Sequence, residues 1–292
     1  MKIKESFGYK TFTFFNTLIQ IVLSITFLYP LLYVVFASFS DSNALMMHEG
    51  FLLWPTKPTL EAYIRVIENP MIWSGYKNTL FIMVAGLAVQ MGMTILAAFC
   101  LSRKMKGVGT MMKLLVFTMY FSGGLIPTYL NIRGFGLDGS LWALIIPFCV
   151  NTYNVIIMRT AFAGVPDSLE ESATLDGANP FVIMTRIIIP LCGSTIAVVT
   201  LYYAVGLWNG WFYASIFLRD RAKFPLQLVL REILMANDTS SMQGGVSMDE
   251  AGKIAETIKY AVIVVSTLPI LLAYPLLQKY FVKGVMIGAV KG

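Results

Sequence analysis

Uncharged apolar runs divide the chain into six segments. Between Lys10 and Lys279, six runs of 19 to 32 residues contain no Asp, Glu, Lys, Arg or His. A helix needs about 20 apolar residues to cross the hydrocarbon of a bilayer, so each run predicts one span. The predicted spans lie near 12–36, 78–101, 114–130, 141–158, 190–210 and 260–278. Solid apolar runs lack the alternation of a membrane β-barrel, so the pattern predicts an all-α integral membrane protein with residues 1–292 as a single transmembrane domain.

Composition points to the same class. The chain is 57% hydrophobic and 13% charged, with a mean hydropathy of +0.70. Soluble domains carry about 25% charged residues. This composition excludes a disordered chain, a disulfide scaffold and a nucleic-acid-binding module.

The distribution of basic residues predicts the orientation. An even number of spans places both termini on one side of the membrane. With the termini inside, the inner segments hold 12 of the 22 Lys and Arg residues, although they are the shorter segments. Cytoplasmic loops are enriched in Lys and Arg, so both termini are predicted to be cytoplasmic. The net charge of +6 is explained in the same way, without nucleic acid.

The spans lack the residues of an ion-driven carrier or an enzyme. No ionisable side chain falls within a predicted span, whereas ion-coupled carriers usually keep one there. His48 is the single histidine, and the three cysteines are far apart, so neither a zinc site nor a catalytic pair is expected. The energy for transport is therefore expected to come from outside the membrane. A stand-alone ion-coupled secondary transporter of small polar solutes is the alternative.

A helical hairpin is predicted in the cytoplasmic loop 159–189, between spans four and five. Pro166 suits a first helical turn, and Ser168 with Glu171 has the spacing of a capping box. Gly177 is typical of a left-handed helix end. Asn179 followed by proline then predicts the start of a second helix. Such a hairpin is suited to transmit force to a soluble partner.

The same residues resemble a known motif. Residues 171–173 (Glu-Ser-Ala), Gly177 three residues later, and residues 187–190 (Ile-Ile-Ile-Pro) after nine more resemble the EAA loop of bacterial ABC importer permeases. The family pattern is E-A-A, three residues, G, nine residues, I-x-L-P. The sequence departs from it at Ser172, which replaces Ala, and at Ile189, which replaces Leu. Neither departure affects the glutamate or the glycine.

The resemblance extends beyond this loop. The C-terminal residues 280–292 are similar to the tail of the carbohydrate-importer branch, the MalG-like permeases, and looser motifs resemble the subgroup of LplC and YtcP. The resemblance implies a type I ABC importer permease fold in the bacterial cytoplasmic (inner) membrane. It implies a second homologous permease forming a heterodimer, two ATPase subunits that bind ATP and Mg, and an extracytoplasmic solute-binding protein. The implied substrate is an oligosaccharide, such as a polysaccharide fragment, and no cofactor is expected on this chain.

Residue roles follow from the resemblance. The residues expected to couple to the ATPase are Leu169, Glu170, Glu171, Ser172, Ala173, Asp176, Gly177, Ala178 and Pro190. The resemblance implies that Glu171 makes a charged contact with the ATPase and that Leu169 and Ala173 pack into a cleft of the ATPase. Taken without the motif, Glu170 and Glu171 have the alternative role of a solvated surface. A second contact with the ATPases is expected from the tail 279–292, at Lys283, Gly284, Gly288 and Lys291. The alternative for the tail is a basic segment on anionic lipid.

A sugar path requires aromatic faces and amide or hydroxyl groups inside the bundle. The candidates are Tyr120, Asn151, Asn154, Tyr202, Tyr203, Trp208 and Asn209. Each has an alternative role, because such residues also form interhelical hydrogen bonds or belong to the aromatic belt at the membrane surface.

Overall fold

The computed structural model of the chain describes residues 7–242 and 257–272, and these ranges are helical, without a β-strand. Their α-helices are α1 (Phe7–Ser38), α2 (Ser42–Met46), α3 (Glu61–Glu68), α4 (Pro70–Ser102), α5 (Val108–Tyr120), α6 (Leu125–Gly134), α7 (Thr152–Ala163), α8 (Asp167–Leu175), α9 (Pro180–Ile183), α10 (Ile189–Leu191), α11 (Gly193–Trp208), α12 (Phe212–Phe217), α13 (Leu226–Met242) and α14 (Thr257–Leu272). The described residues cluster into two compact units, one built from 7–69 and those within 232–268, the other from 70–231 and 269–272.

The first unit contains the long helix α1 and the segment that follows it. Along nearly all of α1 the apolar side chains are exposed, and only Ala37 and Ser38 at its end are buried. An exposed apolar helix of 32 residues suits a bilayer rather than water. At the end of α1, Ala37 packs with Leu45 and Leu52 from the following segment in a small core. The hydroxyls of Ser38 and Tyr63 are hydrogen-bonded at 2.7 Å, and burial raises the pKa of Tyr63.

Helix α4 is the central element of the second unit. Its buried positions recur every three or four residues, at Ile72, Gly75, Thr79, Ile82, Gly86, Gln90, Thr94, Ala98 and Leu101. This stripe of small and polar residues is typical of close helix packing in membranes. The Leu226 N–H donates to Thr79 Oγ1 at 2.9 Å, and Thr94 Oγ1 lies 2.7 Å from Tyr203 Oη. At Gly75, a Cβ atom would lie 3.1 Å from the backbone of Leu226, so glycine allows this close approach.

Three predicted spans are bent rather than straight. The predicted span near 114–130 is not one continuous helix, because α5 ends at Tyr120 and α6 leaves at 113° to it. Gly124, at φ +88°, adopts a backbone conformation that cannot continue a helix. Likewise, the segment near 141–158 begins as 3₁₀ turns over Leu141–Phe148 and meets α7 at 48°.

The region of the predicted fifth span, 190–210, also contains a bend. Its first residues belong to the preceding helical segment Pro180–Leu191, which meets α11 at 86° across Cys192. The straight part is therefore Gly193–Trp208. The predicted sixth span, 260–278, is described only as far as Leu272, within α14, and its remaining residues lie outside the described part of the chain.

Candidate functional site

The helical hairpin predicted within residues 159–189 is present in the structure. Helix α8 ends in a Schellman arrangement, in which the Gly177 N–H donates to the Thr174 carbonyl at 3.0 Å and the Ala178 N–H to the Ala173 carbonyl at 2.9 Å. Gly177 has φ +81°, the left-handed conformation that favours glycine. The predicted capping box is absent, because Pro166 is the N-cap residue and Ser168 already lies within the helix.

The second arm of the hairpin continues directly towards α11. Asn179 caps α9, accepting the Val182 N–H at 2.9 Å, and Pro180 occupies the first turn as predicted. Helices α9 and α10 are joined by a π-helical segment, Met184–Ile188. Pro190 follows this segment and has no N–H to donate, so a widened turn accommodates its ring without a break.

The hairpin is anchored to the membrane helices by a shared core. Ala173 and Ala178 pack against a cluster contributed by α4, α7, α9 and α11, which includes Ala98, Phe162 and Ile183. Ala173 therefore faces the core of its own chain. The hairpin and helices α4, α7 and α11 therefore share one hydrophobic core.

Two ion pairs hold α8 against the segment that follows α4. Arg103 pairs with Glu170, both side chains being only 20% exposed, and Lys104 Nζ lies 2.5 Å from Asp167 Oδ2. Burial lowers the pKa of Arg103, an effect that the charge of Asp167 opposes. The hydrogen bond with Asp167 raises the pKa of Lys104, and Lys104 in turn lowers the pKa of Asp167. Lys104 and Asp167 therefore each favour the charged form of the other.

The two neighbouring glutamates have different environments. Glu170 is held within the chain by Arg103, whereas Glu171 is exposed and forms no hydrogen bond or ion pair with the described residues. Ser172 and Asp176 are exposed as well. Leu175, at 89% exposure, and Phe181, at 65%, join the predicted Leu169 as large exposed apolar side chains of the hairpin. Leu175 and Phe181 are not part of the motif. They could have been found in the sequence as apolar residues on either side of the polar turn.

A cavity of about 650 Å³ lies among α4, the 3₁₀ segment, α7, α11 and α12. Five of the seven predicted path residues line it: Asn151, Asn154, Tyr202, Tyr203 and Asn209. Of the other two, Tyr120 is 82% exposed on α5. Trp208 is buried beside Tyr76, with ring centroids 6.4 Å apart.

Rings from several elements form an aromatic wall in this cavity. Its members are Phe148, Tyr153, Tyr202, Trp211, Phe212 and Tyr213. The rings of Phe148 and Tyr213 have centroids 4.4 Å apart, and those of Tyr153 and Tyr202 6.5 Å apart. Three of these six rings are consecutive in the sequence, at 211–213, directly after the predicted fifth span, and this aromatic run could have indicated the wall.

Several polar groups of the cavity are engaged in hydrogen bonds within the chain. Tyr203 Oη accepts the Asn151 N–H at 3.2 Å, and Asn151 Oδ1 caps α7 by accepting the Asn154 N–H at 3.1 Å. The amide of Asn209 donates to the Val205 carbonyl at 3.0 Å. Gln90 also lines the cavity and was missed from the sequence, although a polar residue in an uncharged run is the expected signal of a position facing the bundle interior.

Metal-binding clusters are absent from the described ranges. No group of three or more His, Cys, Asp or Glu side chains is placed there to hold a metal ion. Cys100, Cys149 and Cys192 are free thiols. The predicted tail residues Lys283, Gly284, Gly288 and Lys291 lie outside the described part of the chain.

Known proteins are similar to the chain over nearly its whole length, although no protein-family model matches it. Protein LplC of Bacillus subtilis (strain 168) is 42% identical over 264 residues, covering 90% of this chain and 89% of LplC. The polygalacturonan/rhamnogalacturonan transport system permease protein YtcP of the same organism is 42% identical over 266 residues, covering 90% of this chain and 92% of YtcP.

A solved structure has the same fold. It is the crystal structure of a bacterial ABC transporter involved in the import of the acidic polysaccharide alginate. The matching chain is 32% identical with a TM-score of 0.87, and the match covers 96% of this chain and 100% of that chain. The resemblance found in the hairpin residues is thereby confirmed: the chain belongs to the permease family of ABC sugar transporters.

Proposed function

We propose that the chain is the transmembrane subunit of an ATP-driven importer that carries oligosaccharides, as fragments of polysaccharides, across the bacterial cytoplasmic membrane. The proposal is supported by relatives whose names refer to polygalacturonan, rhamnogalacturonan and alginate. It is also supported by the aromatic wall, because sugar rings stack their C–H faces on aromatic side chains. The substrate is proposed to pass through the cavity beside this wall.

The proposed topology has six spans with both termini in the cytoplasm. Two straight helices, three bent pairs and the apolar helix α14 supply six segments. The higher density of Lys and Arg in the inner segments supports this orientation. In this arrangement the hairpin lies on the cytoplasmic side, where an ATPase is accessible.

One observation carries the coupling proposal: the hairpin is fixed to the membrane helices on one face and exposes apolar side chains and Glu171 on the other. We infer that the exposed face docks on an ATPase subunit, with Leu169, Leu175 and Phe181 entering its surface. Glu171 makes a charge-assisted contact there. Closure of the ATPase pair then moves the hairpin and, through the shared core, changes the access of the cavity.

The proposed complex contains further subunits. A second, homologous permease forms a heterodimer with this chain, and two ATPase subunits bind ATP and Mg below it. An extracytoplasmic binding protein delivers the oligosaccharide. The tail residues Lys283, Gly284, Gly288 and Lys291 are proposed to add a second contact with the ATPases, as the family resemblance implies.

Transport by the complete complex in proteoliposomes tests the proposal. Uptake of labelled oligosaccharide is expected to require ATP, and Glu171→Lys is expected to reduce it at least about tenfold by reversing the charge of the docking contact. Glu68→Lys is the matched control, because Glu68 is an exposed glutamate on α3, outside the hairpin. Uptake by the chain alone without ATP would instead establish the ion-coupled carrier. Full ATP-driven uptake by Glu171→Lys would refute the docking role.

A further inference from the structure

Gln90 is a buried polar residue that faces the cavity with one atom unused. Its side chain is 4% exposed on α4, in the middle of an uncharged run. The amide Nε2 donates to the Phe148 carbonyl at 3.2 Å. The amide oxygen Oε1 accepts no hydrogen bond from the described residues. A buried acceptor without a donor is costly, so this position favours a ligand that brings one.

The contact with Phe148 determines which way the amide points. The carbonyl of Phe148 only accepts hydrogen bonds, so it must face the NH₂ group of Gln90 rather than its oxygen. Rotating the amide by 180° would place two oxygens against each other. Oε1 is therefore the unpaired atom; it is enclosed in this conformation, so a ligand hydroxyl reaches it once the Gln90 side chain turns towards the cavity.

Three other polar residues of the cavity have their groups engaged within the chain. Tyr203 Oη is engaged with both Thr94 and Asn151, and Asn151 Oδ1 is used to cap α7. The amide of Asn209 is bonded to the backbone of its own helix. Gln90 thus combines deep burial with an acceptor that these internal contacts leave free.

The surroundings of Gln90 indicate the class of ligand. The described residues that line the cavity include the aromatic wall and several amides, and none of them carries a charge. An uncharged acceptor beside aromatic faces suits a molecule with apolar C–H faces and hydroxyl donors at its edge. A glycosyl ring has both features.

We propose that Gln90 is a specificity-determining residue, whose Oε1 accepts a hydrogen bond from one hydroxyl group of a glycosyl ring stacked on the aromatic wall. The inference rests on the proposed oligosaccharide transport and deepens it, because it assigns direct sugar contact to this subunit. The recognised group is a hydroxyl rather than a carboxylate, since a carboxylate would place a negative charge against the amide oxygen. Gln90 therefore selects for a hydroxyl group at one position of the sugar ring, in acidic and in neutral glycans.

The test compares a glycan with its monodeoxy analogues in the complete, reconstituted complex. The probes are trisaccharide fragments of galacturonan, alginate and neutral galactan, and the best one is then used as its series of monodeoxy forms. In the wild type, one deoxy form is expected to lose about tenfold in uptake efficiency, the worth of one hydrogen bond. In Gln90→Met, which has similar volume and no amide, the parent and that deoxy form are expected to be imported equally well.

Controls separate this role from a structural one. Thr94→Val removes the hydrogen bond to Tyr203 one helical turn away and is expected to keep the preference for the parent glycan. If Gln90→Met discriminates against the deoxy form as the wild type does, the inference is overturned while the transport function stands. If the wild type imports none of the probes with ATP, the proposed function itself fails.

A structure of the wild-type complex with the trisaccharide provides a second test that needs no variant. A sugar hydroxyl oxygen within about 3.0 Å of Gln90 Oε1 is the expected result. A sugar bound elsewhere, with Oε1 bonded only to water or to a partner subunit, would overturn the inference even if Gln90→Met does not assemble.

Discussion

Replacing Gly177 by Ala perturbs the hairpin through the backbone alone. Gly177 has φ +81°, and a Cβ added there meets no atom within 4 Å, so no steric contact with the rest of the protein is created. An L-residue in the left-handed conformation costs about 1–2 kcal/mol. That cost opposes the two closing hydrogen bonds of α8, from the N–H groups of Gly177 and Ala178.

The size of the effect follows from this cost. A penalty of about 1–2 kcal/mol shifts the equilibrium between the closed and the frayed end of α8 by about 5- to 30-fold. In the proposed coupling mechanism, a frayed end transmits less of the ATPase movement to the shared core. Gly177→Ala is therefore expected to raise the number of ATP molecules hydrolysed per oligosaccharide imported. Gly177→Asn is expected to have a smaller effect, because Asn tolerates the left-handed conformation better.

The assay is the simultaneous measurement of ATP hydrolysis and uptake in proteoliposomes that contain the complete complex. Gly136→Ala is the matched control, since Gly136 has φ +71°, no atom within 4 Å of an added Cβ, and a position outside the hairpin. Equal ratios of ATP to sugar for the wild type and Gly177→Ala would refute the reasoning. An equal rise in both variants would also refute it, by showing a general effect of backbone strain.

Two further predictions concern packing and charge. Gly75→Val is expected to lower the stability of the purified complex by about 1–3 kcal/mol, because its Cβ would lie 3.1 Å from the Leu226 backbone. Gly92→Val is the control, since a Cβ added at Gly92 meets no atom within 4 Å. Equal midpoints of thermal unfolding for the two variants would contradict the packing argument. The pKa of Asp167 is lowered, so the stabilisation that it contributes is complete above its ordinary pKa of 3.8 and is lost as the pH falls below that value. The pKa of Lys104 is raised, so its contribution is complete below its ordinary pKa of 10.5 and is lost at higher pH. The difference in thermal midpoint between the wild type and Lys104→Met is therefore expected to stay constant from about pH 5.5 to about pH 9. It is expected to shrink in about 1 M salt, which screens the ion pair. A change of this difference across that pH range would contradict the pairing of Lys104 with Asp167.

Local chemistry explains why the hairpin was predictable. Gly177 and Asn179 act through their own backbone and their nearest neighbours in sequence, so their residue types alone indicate a helix end and a helix start. The capping box at Ser168 was predicted by the same reasoning and is absent, because Pro166 places the start of α8 two residues earlier than the box requires.

Non-local contacts explain what could not be predicted. The adjacent residues Glu170 and Glu171 are chemically identical, and only the position of Arg103 after α4 makes one internal and leaves the other exposed. Similarly, Tyr120 and Tyr202 are equivalent in an apolar run, but only Tyr202 lies on an element that borders the cavity. The bend at Gly124 also required the structure, since glycine is tolerated inside membrane helices when neighbours support them.

The order of the residues was sufficient to predict the membrane class, the approximate places of the apolar segments, the ends of the hairpin helices and the family. These properties depend on hydrophobic length, on charge and on contacts within a few residues, all of which are visible in the order of the residues. The anchored face of the hairpin, the bends of the helices and the polar contacts in the cavity became visible only in the folded structure. Those features depend on contacts between residues far apart in the chain, such as Gln90 with Phe148, whose energies appear only when the helices are packed.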